Sequence, residues 1–174
     1  PTLGAGVSAL MVDDAIVYPW CYKEGEILDN GPLRFTVKLE FNPMNVKGDT
    51  TIVETRVITL DAGSHLNRTT ITYNNLQESL PVVTGIVLHD TIGAIVADAK
   101  SGYMTYVDPT TGPGQGQIFV GAAFPEDVNE AKPVRFSDEE RRRRNNAYGH
   151  VLSYSEYEPN DEYVYYWGFA WDQA

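Results

Sequence analysis

Strict alternation of apolar and polar side chains over residues 34–41 is the clearest local pattern in the chain. The two faces separate into apolar Phe35, Val37, Leu39 and Phe41 and polar Arg34, Thr36, Lys38 and Glu40. A period of two is typical of a half-buried strand. Two more strands are predicted over 50–60 and 65–73, with turns over 42–49 and 61–64 between them. The three segments together predict an antiparallel meander.

Seven further segments carry strand patterns, and one carries a helix start. The predicted strands cover 8–12, 16–22, 82–89, 102–107, 117–124, 148–154 and 163–171. Ten strands separated by turns predict a mostly β chain, folded as an antiparallel β-sandwich. Ser137 followed three residues later by Glu140 forms a capping-box pattern, so one short helix is expected near 138–146. Neither a repeat nor a linker divides the sequence, and residues 1–174 are predicted to form a single domain.

Composition narrows the classes of protein to which this chain can belong. Acidic residues number 24 and basic residues 13, which gives a formal net charge of −11. A general nucleic-acid binder needs the opposite balance, so no nucleic-acid partner is predicted. No apolar run approaches the roughly 20 residues of a membrane-spanning helix. The three histidines and the single cysteine show no metal-ligand spacing, and therefore neither a metal nor another cofactor is predicted.

The last predicted strand has an unusual row of aromatic side chains. Alternation places five of them on one side of the strand: Tyr163, Tyr165, Trp167, Phe169 and Trp171. Such a row fills a sandwich core, where aromatic residues bury large areas, or forms a platform on which sugar rings stack. The ends of the row are the better ligand candidates, because the polar groups of Trp and Tyr side chains favour positions in contact with water. Trp167 and Trp171 are therefore predicted to bind a sugar ring.

Arginines on the three strands of the meander suggest a second binding surface. Arg34 lies on the polar side of the first strand, Arg56 shares a side of the second with Glu54, and Arg68 lies on the third. If these sides coincide, they form a charged face on which Arg34, Arg56 and Arg68 bind a uronic-acid carboxylate through paired hydrogen bonds. The alternative is a solvated face with cross-strand ion pairs.

Two histidines are candidates for proton transfer near neutral pH. His89 ends an apolar strand and precedes Asp90, which indicates a position at a sheet edge or loop. His150 follows Tyr148 closely in an aromatic-rich strand. Each is predicted as a general acid or base, with a hydrogen-bonded structural role as the alternative.

Five strings spread along the chain carry a family resemblance. They are 4–10 (GAGVSAL), 30–35 (NGPLRF), 60–68 (LDAGSHLNR), 85–89 (GIVLH) and 165–172 (YYWGFAWD). The strings resemble a bacterial domain family of unknown function that is common in Bacteroidetes, often among genes for the breakdown of acidic polysaccharides. The resemblance implies a galactose-mutarotase-like supersandwich and a periplasmic or secreted location. It also implies that this chain is the C-terminal part of a longer protein, whose N-terminal half, or another chain, is a partner.

The resemblance and the residues together give the functional prediction. Enzymes with a mutarotase-like fold use a histidine acid and a carboxylate base, so Glu54 joins His89 as a catalytic candidate by analogy. We expect a carbohydrate-processing protein that acts on or binds a saccharide of uronic-acid character, with the reaction class unresolved. The alternatives are a non-catalytic carbohydrate-binding module and a structural β-sandwich module.

Overall fold

Two antiparallel sheets face each other in a computed structural model, which describes residues 1–90, 93–109 and 114–172. The described strands are β1 (Ala5–Val12), β2 (Ala15–Val17), β3 (Tyr22–Asn30), β4 (Arg34–Phe41), β5 (Met44–Val46), β6 (Asp49–Asp61), β7 (Asn67–Asn74), β8 (Leu80–Leu88), β9 (Ile95–Asp98), β10 (Tyr103–Pro109), β11 (Gln117–Ala123), β12 (Glu130–Arg135), β13 (Gly149–Tyr157) and β14 (Tyr163–Trp171). The smaller sheet has the order β12-β13-β8-β1-β2. The larger has the order β3-β4-β6-β7-β14-β11-β10-β9, with β5 paired to β6. The predicted mostly β, sandwich-like architecture is confirmed.

The meander predicted from alternation is present in the larger sheet. β4 pairs antiparallel with β6, and β6 pairs antiparallel with β7. The apolar face of β4 is less covered than its pattern predicted, however, since Phe35 is 42% exposed whereas Phe41 is buried. The smaller sheet therefore covers only one end of this face, and apolar side chains near the β3 edge remain in contact with solvent.

The core lies between the two sheets. Its largest cluster joins Leu10 and Val82 of the smaller sheet to Ile71, Tyr163 and Tyr165 of the larger. A second cluster continues it toward β10 and β11, and Trp167 packs against both clusters. A third cluster, Leu3, Ala9, Val83 and Leu152, lies on the outer side of the smaller sheet, since Ala9 and Leu10 alternate along β1.

The helix α1 (Asp138–Arg143) begins at the predicted capping box. The Glu140 backbone N–H donates to Ser137 Oγ at 3.2 Å, and the Ser137 N–H donates to Glu140 Oε2 at 2.9 Å. The helix ends three residues earlier than predicted because Asn145 and Asn146 adopt left-handed backbone angles, with φ of 51° and 61°. These two residues turn the chain back toward β13.

Four strands were absent from the sequence prediction: β3, β5, β9 and β12. Every residue of β3 is exposed, and its pairing with β4 is interrupted by two register shifts, so no apolar alternation is present to reveal it. β12 contains Pro133 and lies at a sheet edge, where proline is tolerated. Bulges and charges of this kind protect edge strands from pairing with other chains.

Candidate functional site

His89 lies at the end of β8 and is paired with a carboxylate from the facing sheet. Its Nδ1 is 2.6 Å from Asp108 Oδ2, and its side chain is 60% exposed. The Tyr106 hydroxyl donates to the other oxygen, Asp108 Oδ1, at 3.3 Å, and itself accepts from the Asp90 N–H at 3.1 Å. When the carboxylate is ionised it can only accept, and Nδ1 is then the donor of the pair. The Nε2 of a neutral imidazole is then the atom available to accept a proton from a ligand.

His89 opens onto a cavity of about 240 Å³ that also contains arginine side chains. The lining residues are Pro1, Thr2, Val87, His89, Arg143, Arg144, Asn145 and Ala147. We call this the His89 cavity. Its lining brings His89 together with two arginines, which is a combination suited to proton transfer on an anionic ligand.

Arg144 is held in place on the wall of the His89 cavity. Its Nη1 donates to the Tyr18 hydroxyl at 2.7 Å and to the Pro1 carbonyl, and its guanidinium lies 4.7 Å from the Phe136 ring centroid. Arg143 is more exposed and forms an ion pair with Glu139. From the sequence, the arginine run at 141–144 is interpreted as the exposed side of the short helix, with a local anion site as the alternative. Asp108 was not predicted, because nothing in the sequence links it to His89.

His150 occupies a buried structural position instead of a proton-transfer site. Its side chain is 1% exposed, its Nε2 accepts from the Leu3 N–H at 3.0 Å, and the Phe136 ring meets it edge-on. Burial, together with the nearby Arg144 charge, lowers the pKa of His150 from 6.5 to about 4. Its imidazole is therefore neutral near pH 7 and fixes the segment that leads into β1.

The buried His150 predicts a loss of stability in mild acid. Unfolded histidine binds a proton with a pKa near 6.5, whereas the folded pKa is about 4, so unfolding takes up a proton between these values. We expect the free energy of unfolding to contain the whole contribution of neutral His150 above pH 6.5. It should fall by about 3 kcal/mol as the pH decreases to about 4. Urea titrations across this range measure the effect.

Variants separate the contribution of His150 from that of other groups. His150→Gln retains an acceptor for the Leu3 N–H and should reduce the dependence of stability on pH. His65→Gln removes an exposed histidine and is the matched control. An unchanged dependence in His150→Gln would contradict the assignment.

Glu54 and Arg56 form an ion pair in the protein interior. Their side chains are 0% and 8% exposed, and Arg56 Nε donates to Glu54 Oε1. Arg56 Nη2 also donates to the Ser8 carbonyl at 2.8 Å, and the guanidinium lies 4.7 Å from the Phe41 ring centroid. Burial raises the pKa of Glu54, and the Arg56 charge opposes that shift.

The expectation that three strands share one charged face is wrong for Glu54 and Arg56. Strand register pairs Leu39 with Arg56 and Arg56 with Ile71, which puts Arg56 on the inner face of the larger sheet. Arg34 and Arg68 lie on the opposite, outer face. The presence of Ile52 and Ile58 on the same side of β6 as the ion pair was the sequence signal for an inner face.

Each of the two outer arginines is hydrogen-bonded to a neighbouring side chain. Arg34 donates from Nε and Nη2 to the two carboxylate oxygens of Asp61, at 2.6 and 2.9 Å. Arg68 Nη1 donates to Thr70 Oγ1 at 2.8 Å. The Arg34–Asp61 contact is a cross-strand ion pair of the kind in the alternative that the sequence left open, whereas Arg68 and Thr70 lie on the same strand. Neither contact brings Arg34 or Arg68 to His89.

The aromatic row on β14 changes character along its length. Tyr163 and Tyr165 are buried in the core and Trp167 is half-buried, whereas Phe169 is 68% exposed and Trp171 is 48% exposed. The first part of the row is therefore core, as the core interpretation of the row predicted, and its last part is open to a ligand. Trp171 Nε1 donates to the Gln115 carbonyl at 2.8 Å.

Trp167 and Arg56 line a second cavity, of about 310 Å³. We call it the Trp167 cavity. Its lining residues are Ala5, Gly6, Val7, Arg56, Ile58, Thr69, Tyr165 and Trp167. Two of the five predicted substrate-binding residues thus share one cavity, and none of them shares the His89 cavity.

Two negative findings apply to residues 1–90, 93–109 and 114–172. Within these ranges, no three His, Cys, Asp or Glu side chains are grouped so that they could hold a metal ion. Over the same residues, no helix has the length and apolar character needed to cross a membrane.

Comparisons with known proteins identify the family of the chain. The model of the domain of unknown function DUF4861 matches residues 1–174. The chain is also similar to "Uncharacterized protein P7" of the Bacteroidetes species Formosa agariphila, with 25% identity over 171 residues. This match covers 98% of the chain and 40% of the relative, so the chain spans less than half of that protein's length. The chain belongs to the DUF4861 family.

Proposed function

We propose that the protein processes a saccharide of uronic-acid character, with His89 transferring a proton in the His89 cavity. The observation that carries this proposal is the 2.6 Å contact between His89 and Asp108 beside a cavity that also contains Arg143 and Arg144. Asp108 fixes the imidazole tautomer, so that Nε2 accepts a proton from the substrate or returns one to it. Histidine paired with a carboxylate recurs as a general base in enzymes.

The arginines give the proposed site its preference for an acid. A guanidinium binds a carboxylate through two parallel hydrogen bonds, and Arg144 is already held by Tyr18 and Phe136. A preorganised cation beside the base would stabilise negative charge that develops on the substrate during proton removal. The acidic-saccharide class itself comes from the resemblance to a polysaccharide-associated family, which also supports polysaccharide breakdown as the context and the periplasm or exterior as the location.

A non-catalytic carbohydrate-binding role is the second candidate, and a different observation favours it. Phe169 and Trp171 are exposed on the same side of β14, where they could stack on sugar rings. The two roles are compatible in one protein. They differ in what the substitution of His89 should do, since only the catalytic role requires its imidazole.

The test of the proposed function is a turnover assay on oligosaccharides. The protein is incubated with oligosaccharides cut from polyuronates, and with neutral oligosaccharides as controls, and products are followed by mass spectrometry. We expect new products from the acidic set alone and none with His89→Gln. No product from any acidic oligosaccharide, together with an unchanged melting temperature across the panel, would exclude both carbohydrate roles.

A further inference from the structure

We propose that the Trp167 cavity is a second carbohydrate-binding site, specific for a neutral sugar ring. The inference goes beyond the proposed function, since this cavity shares no lining residue with the His89 cavity. Its volume of about 310 Å³ lies at the lower end of the range of small-molecule sites, about 300–1,000 Å³, which suits one ring.

The charge balance of the cavity determines which ligand it takes. Arg56 is its one charged lining residue, and that charge is already neutralised by Glu54. A uronate carboxylate would enter a partly open, mainly apolar space without a counterion of its own and would compete with Glu54 for Arg56. A neutral sugar carries no such cost. This proposal gives Arg56 a different role from the uronate contact that the sequence predicted.

The remaining lining supplies both kinds of contact that a sugar ring needs. Val7, Ile58 and the Trp167 ring offer apolar surface to ring C–H groups. Arg56 carries five N–H donors, of which two are used by Glu54 and the Ser8 carbonyl, and the others can donate to sugar hydroxyls. Thr69 adds a hydroxyl at the same wall.

Trp167 is fixed in place before any ligand binds. Its Nε1–H donates to Thr69 Oγ1 at 2.9 Å. Gly6 packs so closely against it that a Cβ added at Gly6 would lie 2.9 Å from Trp167 Cβ. The φ of +105° at Gly6 also favours glycine at this position. A ring held in this way loses little freedom on binding, and preorganisation of this kind raises affinity.

The experiment is an NMR titration of the protein with methyl glycosides of neutral hexoses and of uronic acids. We expect a neutral glycoside to shift the Trp167 indole N–H signal and a uronic glycoside to bind at least about tenfold more weakly. Equal affinity for both classes, or no shift with any glycoside, would overturn the proposal.

Variants show whether binding occurs in this cavity. Ala5→Phe fills it from an exposed strand position and should abolish binding. Trp167→Phe should weaken it about fivefold, the size of one aromatic contact. Trp20→Phe, at an exposed tryptophan outside the cavity, is the matched control, and unchanged binding in Ala5→Phe would overturn the proposal. Binding should survive His89→Gln, so that failure of the proposed catalytic function remains distinguishable from failure of this inference.

Discussion

Replacement of Arg56 by alanine is expected to lower the free energy of unfolding by about 3–5 kcal/mol. The reason is that Glu54, with an exposure of 0%, loses the partner that offsets its burial. The variant also loses the bond to the Ser8 carbonyl, which ties β6 to β1 across the sandwich, and the contact with Phe41. Urea denaturation of wild type and variant at pH 7 measures the difference.

Two controls separate loss of the charge pair from loss of an arginine. Arg34→Ala removes a guanidinium from an exposed ion pair with Asp61 and should hardly move the urea midpoint. The double variant Glu54→Leu with Arg56→Met removes both charges while keeping apolar volume, and it should recover most of the stability that Arg56→Ala loses. If Arg56→Ala and Arg34→Ala shift the midpoint equally, the buried pair does not hold the two sheets as the contacts indicate.

The elements that the sequence predicted well are those defined by contacts between near neighbours. The alternation over residues 34–41 requires only that successive side chains point to opposite faces, and it identified the bounds of β4. The capping box requires only that Ser137 and Glu140 be three residues apart, and both reciprocal hydrogen bonds are present. β3 was not predicted because all nine of its residues are exposed, so its sequence has no alternation of buried apolar and exposed polar positions.

The candidate site was less predictable because its residues meet through tertiary packing. His89 was identified from its own chemistry, yet its partner Asp108 comes from a strand of the other sheet, and no spacing rule joins the two positions. Arg56 was placed on the wrong face because its charge suggested solvent exposure. The register with Leu39 and Ile71 shows instead that a charged pair can occupy the inner face when each partner neutralises the other.

Substitution of His89 by glutamine is expected to lower kcat on an acidic oligosaccharide by about 10²–10⁴-fold, the usual contribution of a positioned acid or base. Glutamine can still accept and donate hydrogen bonds but cannot carry a proton between atoms of the substrate. KM should change little, because the arginines of the His89 cavity remain. Steady-state kinetics of wild type and variant give both constants.

Asp108→Asn tests whether the carboxylate orients the imidazole. Asparagine keeps the size of the side chain but can donate to Nδ1, which favours the tautomer with its proton on Nε2 and leaves no base facing the cavity. We therefore expect kcat to fall in this variant as well. A combined His89→Gln and Asp108→Asn variant should be no slower than His89→Gln alone, because the effects of residues that act as a unit are not additive.

His65→Gln, a substitution outside the His89 cavity, is the control and should leave kcat unchanged. Retention of wild-type kcat by His89→Gln would exclude His89 as the proton-transfer group, and a multiplicative loss in the double variant would mean that Asp108 acts on the substrate independently of the imidazole.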